Sequence, residues 1–380
     1  MKRKLLSLIL CAAILCAAVL LVGCQSATTD PANSNANPGP ASPQNVGSNA
    51  NDNNQKMPPV RVAATPFSGN VLVGIAQDKG FFDDEGIEID FQLLMGMADA
   101  QAALAAGHVD VLTTYGTTPA LASIAAGVDI TIFGGYMLQG CMPILAIEGT
   151  EWNGVESLVG KKLLGDITSQ FLFGYSLKQA GYDPSVDVEW IPYVDDNTNM
   201  ELTRKGEIDF MRGTTGLHTR AKELGLEAVA FSGDLVPEYS CCRIWSNTSW
   251  LDENSDAAVK LIKALLRAQA VLESDPDYAV GIVMEQTTLT KEYVEGFIKN
   301  EHLMVRLDPH WKAVSRQLGG LAELNLLEGD SSIELLKAHF TPYIYKQALD
   351  ACVAEYYDES PEFYDYYLQF YEESNGEYDS

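Results

Sequence analysis

Ala106-Gly107-His108-Val109-Asp110-Val111-Leu112 and Lys205-Gly206-Glu207-Ile208-Asp209-Phe210-Met211 carry one pattern: Gly-x-x-Asp leading into a short apolar run. The likeness extends outward. Downstream of the first lie Thr117-Thr118 and Ala126-Gly127-Val128-Asp129-Ile130; downstream of the second lie Thr214-Thr215 and Leu224-Gly225-Leu226-Glu227-Ala228. Upstream, Val71-Leu72-Val73-Gly74 through Lys79-Gly80-Phe81 parallels Phe171-Leu172-Phe173-Gly174 through Ala180-Gly181-Tyr182. Each of these helical stretches follows a strand pattern (60–64 and 162–164) and precedes another (87–93 and 186–191). Strands alternating with helices of this length predict right-handed βαβ units on parallel sheets, and so an α/β chain with two similar lobes. Ligands of such sheets lie beyond the C-terminal ends of the strands, where helix N-termini present free N–H groups. Cys141-Met142-Pro143-Ile144-Leu145-Ala146-Ile147 and Ser240-Cys241-Cys242-Arg243-Ile244-Trp245-Ser246 read as the two strand-like crossings between the lobes, a two-strand hinge.

The ends have another character. Met1-Lys2-Arg3-Lys4, an apolar run from Leu5 and the closing Leu21-Val22-Gly23-Cys24 describe an export signal over residues 1–23. The last four resemble a bacterial lipobox, which makes Cys24 the expected lipidation site and places the protein in the cell envelope. It would be anchored to the outer face of the cytoplasmic membrane or held in the periplasm. Residues 24–59 are rich in Asn, Pro, Ser and Ala and have almost nothing to bury, so they are expected to form a disordered tether. Its mean reach is on the order of 30 Å. The body is then divided as 60–143 with 244–349 in one lobe, 144–243 in the other, and an acidic, Tyr-rich tail at 350–380. The tail reads as a solvated end whose tyrosines pack on the body. Leu261, Ile262, Leu265 and Leu266 have helical spacing, and helices from Ser255 to Leu349 are expected to buttress the first lobe.

The formal charge is −27, and −30 once Lys2, Arg3 and Lys4 leave with the signal. Such a surface repels nucleic acid and anionic headgroups, so neither is an expected partner and the membrane attachment falls to the lipid. Cys141, Cys241, Cys242 and Cys352 remain in the body, with three full pairings open. A bond from Cys141 to Cys241 or Cys242 is favoured if the crossings are neighbours. A vicinal 241–242 bond is strained.

One stretch carries a family resemblance. Val60-Arg61-Val62-Ala63-Ala64-Thr65-Pro66, then Ala76-Gln77-Asp78-Lys79-Gly80-Phe81-Phe82-Asp83-Asp84-Glu85-Gly86-Ile87-Glu88-Ile89, resembles the substrate-binding proteins of ABC importers for nitrate, sulfonates, taurine and thiamine-precursor pyrimidines. Ala105-Ala106-Gly107-His108-Val109-Asp110-Val111 fits the same group. The resemblance implies a type II periplasmic-binding-protein fold, a small-molecule ligand, and an ABC permease and ATPase as partners. It also implies a Cys-Cys-Arg at 241–243 that stands open to ligand contact. The motif itself has a structural explanation: Gly80 and Gly86 punctuate a helix end and a turn, while Phe81, Phe82 and Ile87 pack under a sheet. Asp110 and Asp209 are read as turn residues rather than ligand contacts.

Loops that follow strands supply the candidate ligand contacts: Phe67, Ser68, Asn70, Tyr115, Thr117, Thr118, Tyr136 and Gln139 from the first lobe, Thr168, Ser169, Arg212 and Thr214 from the second, and Arg243 from the second crossing. Ser and Thr before helices also serve as N-caps. Phe67, Tyr115 and Tyr136 offer flat apolar walls. Arg212 and Arg243 can pair an anion. The five histidines show no metal spacing, and no nucleophile elbow or P-loop is present, so neither metal nor cofactor is expected and the chain reads as a binder, not an enzyme. The expected ligand is a small anion, sulfonate or nitrate-like. A pyrimidine is the alternative, and a thiamine-pyrimidine synthase a more distant one.

Overall fold

The repeated Gly-x-x-Asp acts as a clip between strands. In the computed structural model, which describes residues 57–66 and 70–379, strand β1 is Val60–Ala64, β2 Ile89–Leu93 and β3 Val111–Gly116. Asp110, just before β3, accepts the Arg61 backbone N–H at 2.8 Å and returns its own N–H to the Arg61 carbonyl at 2.7 Å. The Arg61 side chain then donates to Asp110 and to the carbonyl of Gly107. The second copy repeats these bonds. With β4 at Ile130–Gln139, β5 at Pro143–Ile147, β6 at Lys162–Leu164, β7 at Glu189–Ile191 and β8 at Met211–Arg212, Asp209 accepts the Lys162 N–H at 2.8 Å. Its own N–H goes to the Lys162 carbonyl at 2.8 Å, and Lys162 Nζ donates to the Gly206 carbonyl at 3.4 Å. Gly107 and Gly206 have φ of 67° and 75°, left-handed conformations that let each preceding helix stop and the chain turn to the clip.

With β9 at Leu226–Phe231, β10 at Ser240–Asn247 and β11 at Leu303–Val305, the first sheet has the order β11-β4-β10-β3-β1-β2. In the other half, β6 pairs with β7, β8 and β9 flank β5, and a parallel bridge from Leu163 to Phe210 joins the two sets, giving β7-β6-β8-β5-β9. Read from opposite ends, β2-β1-β3-β10-β4 matches β7-β6-β8-β5-β9, and β11 is added at the far edge of the first sheet. The expected wholly parallel sheets are corrected: the added edge strand β11 runs antiparallel to β4, and within the matching strands β10 runs antiparallel to β3 and β4, and β5 antiparallel to β8 and β9. β10 and β5 are each the first strand after the chain passes between sheets. The chain leaves one sheet at the C-terminal ends of its parallel strands and enters the other at the matching edge, so the entering strand must run the opposite way.

Apolar residues of β1, β3, β4 and β10 pack with the helix Ser255–Ser274 in the main core, which also takes in Phe81, Phe82 and Ile87. Leu145, Leu164, Met200, Ile208, Met211 and Leu226 form a second cluster under the other sheet. On the Ser255–Ser274 helix, Lys263 pairs with Glu85 and Glu355, and Arg267 with Asp84 and Glu359, tying the first half to the C-terminal helices. In the last helix, Pro361–Asn375, the side chains of Tyr364, Tyr367, Phe370 and Tyr371 are buried. The export signal, Cys24 and all but the last three tether residues lie outside the described residues. Among the described residues no helix is long and apolar enough to cross a membrane.

Candidate functional site

The C-terminal ends of parallel strands from both halves converge on a cavity of about 480 Å³. Thr65 follows β1, Met95-Gly96-Met97 follow β2, and Thr114 and Tyr115 end β3, with Thr118 in the helix behind them. Opposite stand Asp166 and Thr168 after β6, Tyr193 after β7, and Arg212, Thr214 and Thr215 at the end of β8. Met137 of β4, Met142 of the first crossing, Tyr239, Cys241 and Cys242 close the base.

One ion pair sits in this wall. Arg212 Nη2 donates to Asp166 Oδ2 at 2.6 Å, and its guanidinium lies 5.3 Å from the Tyr193 ring centre. Asp166 also caps the helix Ile167–Gln179, accepting the Ser169 N–H at 3.2 Å and the Ser169 hydroxyl. Burial works to raise the Asp166 pKa, but the Arg212 charge, its hydrogen bond and the two Ser169 bonds outweigh it and hold the carboxylate below its ordinary range. Arg212 stays protonated for the reciprocal reason. Its buried Nε has no hydrogen-bond partner. Asp166 and Arg212 are the charged residues of the lining, so the cavity carries one positive and one negative charge.

The other walls are flat or sulfur-bearing. Tyr115 donates its hydroxyl to the Leu94 carbonyl at 2.9 Å, which leaves the ring as a cavity wall. Burial raises the Tyr239 hydroxyl to about 12 and the Cys242 thiol to about 12, so both stay protonated at neutral pH. Cys141 and Cys241 form a disulfide, while Cys242 and Cys352 are buried thiols. Thr214 donates to Asp196 at 2.7 Å, Thr118 accepts from Gln317 at 2.7 Å, and the Thr215 hydroxyl meets the Met137 sulfur at 3.7 Å. Among the described residues no histidine lines the cavity. Among the described residues no group of His, Cys, Asp and Glu side chains is gathered to hold a metal ion.

Of the residues expected from sequence, Tyr115, Thr118, Thr168, Arg212 and Thr214 line this cavity together. Phe67, Ser68 and the lipidation site Cys24 lie outside the described residues. The other six are placed elsewhere. Asn70 is buried and donates its amide to Gln286. The Thr117 hydroxyl bonds Ser240 at 3.0 Å, and Ser169 serves the Asp166 cap. Tyr136 is buried with its hydroxyl at the Leu72 N–H, and Gln139 holds a positive φ with its carbonyl accepting from Ser232. Arg243 is also buried, inside β10, where Nη1 donates to the carbonyls of Cys242 at 2.8 Å and Met137 at 3.3 Å. Its burial lowers the pKa to about 10 against the opposing pull of Asp308. Met95, Met97 and Tyr193 were not singled out, although loops after the strand patterns at 87–93 and 186–191 obey the rule that found the others.

A family model described as NMT1/THI5 like matches residues 71–279. The chain belongs to the NMT1/THI5-like family. A curated relative of this NMT1/THI5-like chain is YtlA of Bacillus subtilis (strain 168), named as a binding protein. It is 24% identical over 208 residues, 53% of this chain and 61% of YtlA, so the match spans about three-fifths of that relative's length. The periplasmic aliphatic sulphonate binding protein SsuA of Escherichia coli superposes with a TM-score of 0.62 at 16% identity, covering 74% of this chain and 92% of SsuA. The periplasmic nitrate-binding protein NrtA of Synechocystis PCC 6803 superposes with a TM-score of 0.62 at 13% identity, covering 77% of this chain and 88% of NrtA. These likenesses show the fold of the NMT1/THI5-like chain to be that of periplasmic binding proteins.

Proposed function

We propose that this protein is an extracytoplasmic solute receptor of an ABC importer, tethered through Cys24, that captures a small organic molecule between its two halves and hands it to a permease. The observation that carries the reading is the cavity formed by strand ends of both halves, the place where α/β sheets bind ligands. Closure would pivot on the segments that join the two sheets, 140–142 and 232–239, rather than on the strand-like stretches 141–147 and 240–246 expected from sequence, most of which the sheets take up as β5 and β10. The bound form is favoured by contacts that a ligand makes to both walls at once. Binding rather than catalysis is supported by the lining: its carboxylate is ion-paired, and its thiol and tyrosines stay protonated, so no group there is tuned for proton transfer near neutral pH.

For the ligand, the Arg212–Asp166 pair favours the heteroaromatic alternative over the simple anion. A nitrate or sulfonate placed at Arg212 would also face the Asp166 carboxylate. A flat heterocycle with N–H donors and ring acceptors can use both groups while stacking on Tyr115 or Tyr193 and the methionine thioethers. A thermal-shift screen across pyrimidines, alkanesulfonates, nitrate and bicarbonate tests this. The expected result is that a pyrimidine-like compound raises Tm and that Tyr115→Ala removes the rise. A rise with sulfonate or nitrate alone would reverse the ligand assignment. No rise with any small molecule, together with an empty cleft in mass spectrometry of the native protein, would count against the receptor itself.

A further inference from the structure

A second cavity, of about 450 Å³, shares Met137 of β4 with the cleft and is otherwise lined by different residues. Leu272, Phe297, Ile298, Leu303 and Val305 make its walls apolar. Arg306 stands in this lining. Its guanidinium carbon is 4.5 Å from the Phe370 ring centre, 5.1 Å from Tyr366 and 5.9 Å from Tyr367, so three aromatics of the last helix form a tray beneath it. The acidic, Tyr-rich end of the chain thus has a use that the cleft does not absorb.

The other arginines among the described residues all donate to a protein oxygen: Arg61 to Asp110, Arg204 to Glu201, Arg212 to Asp166, Arg220 to Asn197, Arg243 to carbonyls, Arg267 to Asp84 and Glu359, and Arg316 to the Pro237 carbonyl. The Arg306 guanidinium has no such acceptor among the described residues, and it rests on the three rings. In a chain with 52 acidic and 25 basic residues, that is a cation with no ion-pair partner among the described residues, set in the lining of a largely apolar cavity, although its charge still acts on the buried Asp308 carboxyl. Stacking on rings fixes the plane of a guanidinium and leaves its edge N–H groups free for a bidentate oxyanion. The other charged group of the lining is Glu273, whose carboxylate accepts from Tyr367 at 2.5 Å and from Gln269 at 2.8 Å. Its charge disfavours a second negative group on the ligand.

We infer that this cavity is a second binding site, separate from the cleft, for a monocarboxylate with an unbranched apolar body, its carboxylate on Arg306 and its chain against Phe297, Ile298 and Leu303. The volume lies within the range of small-ligand pockets.

Ligand-detected NMR and calorimetry with sodium octanoate on the whole chain test this, with 1-octanol and acetate as controls. Octanoate is expected to bind at a single saturable site, more tightly than octanol or acetate by roughly tenfold or more. Arg306→Met keeps a long side chain over the tray and should cost roughly tenfold or more in octanoate affinity. Ile298→Trp, which fills the cavity from a different helix, should do the same, and Arg212→Gln in the cleft should leave it unchanged. Near-UV circular dichroism confirms that each variant is folded. Absence of saturable octanoate binding overturns the inference, as does equal binding of octanol with no effect of Arg306→Met. Loss of binding in Arg212→Gln would place the octanoate in the cleft and overturn it equally.

Discussion

Asp166→Asn tests the electrostatic design of the cleft. The substitution keeps the shape and, because asparagine is an equally good N-cap, keeps an acceptor for the Ser169 N–H. What it removes is the charge facing Arg212 at 2.6 Å, where the two side chains are 22% and 11% exposed. Removing one partner of a fully buried pair costs about 3–5 kcal/mol; the remaining exposure of Asp166 brings the expectation to about 2–3 kcal/mol. For a body of this size, about 1.5 °C is lost per kcal/mol, so Tm should fall by roughly 3–5 °C. Asp166→Ala should lose about 1 kcal/mol more, the worth of the cap. The ligand profile should change as well. With a net positive charge in the cavity, nitrate and alkanesulfonates should gain roughly tenfold in affinity, and a heterocycle that donates to Asp166 should lose a similar factor. Thermal unfolding and calorimetry on the two variants read both effects. If Asp166→Asn leaves Tm within about 1 °C and the ligand profile unchanged, the pair does not govern the cleft as argued.

The clips make a matched prediction: Asp110→Ala and Asp209→Ala should each destabilise by about 1–3 kcal/mol in urea unfolding, because each strands the backbone N–H of a strand residue, Arg61 or Lys162. Replacing Cys141 and Cys241 by serine opens a bond that spans 100 residues and should cost about 2–5 kcal/mol, seen as the same fall in Tm that a reductant produces in the native protein. Asp308 is buried, which raises its pKa to about 7 despite hydrogen bonds from Asn375 and the His310 N–H. Between pH 4 and 7 the folded state therefore holds a proton that the unfolded chain has lost, so this group's contribution to stability falls as pH rises through that window and levels off above it. His310, whose pKa burial lowers, acts in the opposite sense, its contribution being lost as pH falls below about 6.5. Asp308→Asn should remove the Asp308 slope and leave that of His310; an unchanged pH profile of urea unfolding would show that Asp308 is ionised throughout.

The paired halves were legible because their signals are local. A glycine that ends a helix, an aspartate three residues on and an apolar run recur in both, and the bonds they make close within one βαβ unit. The rule that ligands meet loops after strands located Tyr115, Thr118, Thr168, Arg212 and Thr214 of the cavity lining. It was less successful along β4 and β10, where single residues had to be chosen. Met137 lines the cavity while its neighbour Tyr136 is buried elsewhere. On β10 the register shifts three times between Ser240 and Trp245. Such bulges break the two-residue alternation by which a sequence assigns side chains to faces. Cys241 and Cys242 therefore both reach the cavity, and Arg243 does not.

The chain's own order of residues thus determined the repeated α/β units, their clips and the edge of the sheets where the cavity lies, since each depends on neighbours within a few tens of residues. Tertiary structure alone decided that Arg212 meets Asp166 and is neutralised, that Arg243 is enclosed by β4 and β10, and that Arg306 rests on rings more than 50 residues away. A charge's role depends on which groups share its low-dielectric surroundings, and those groups arrive from distant segments only when the sheets and helices pack.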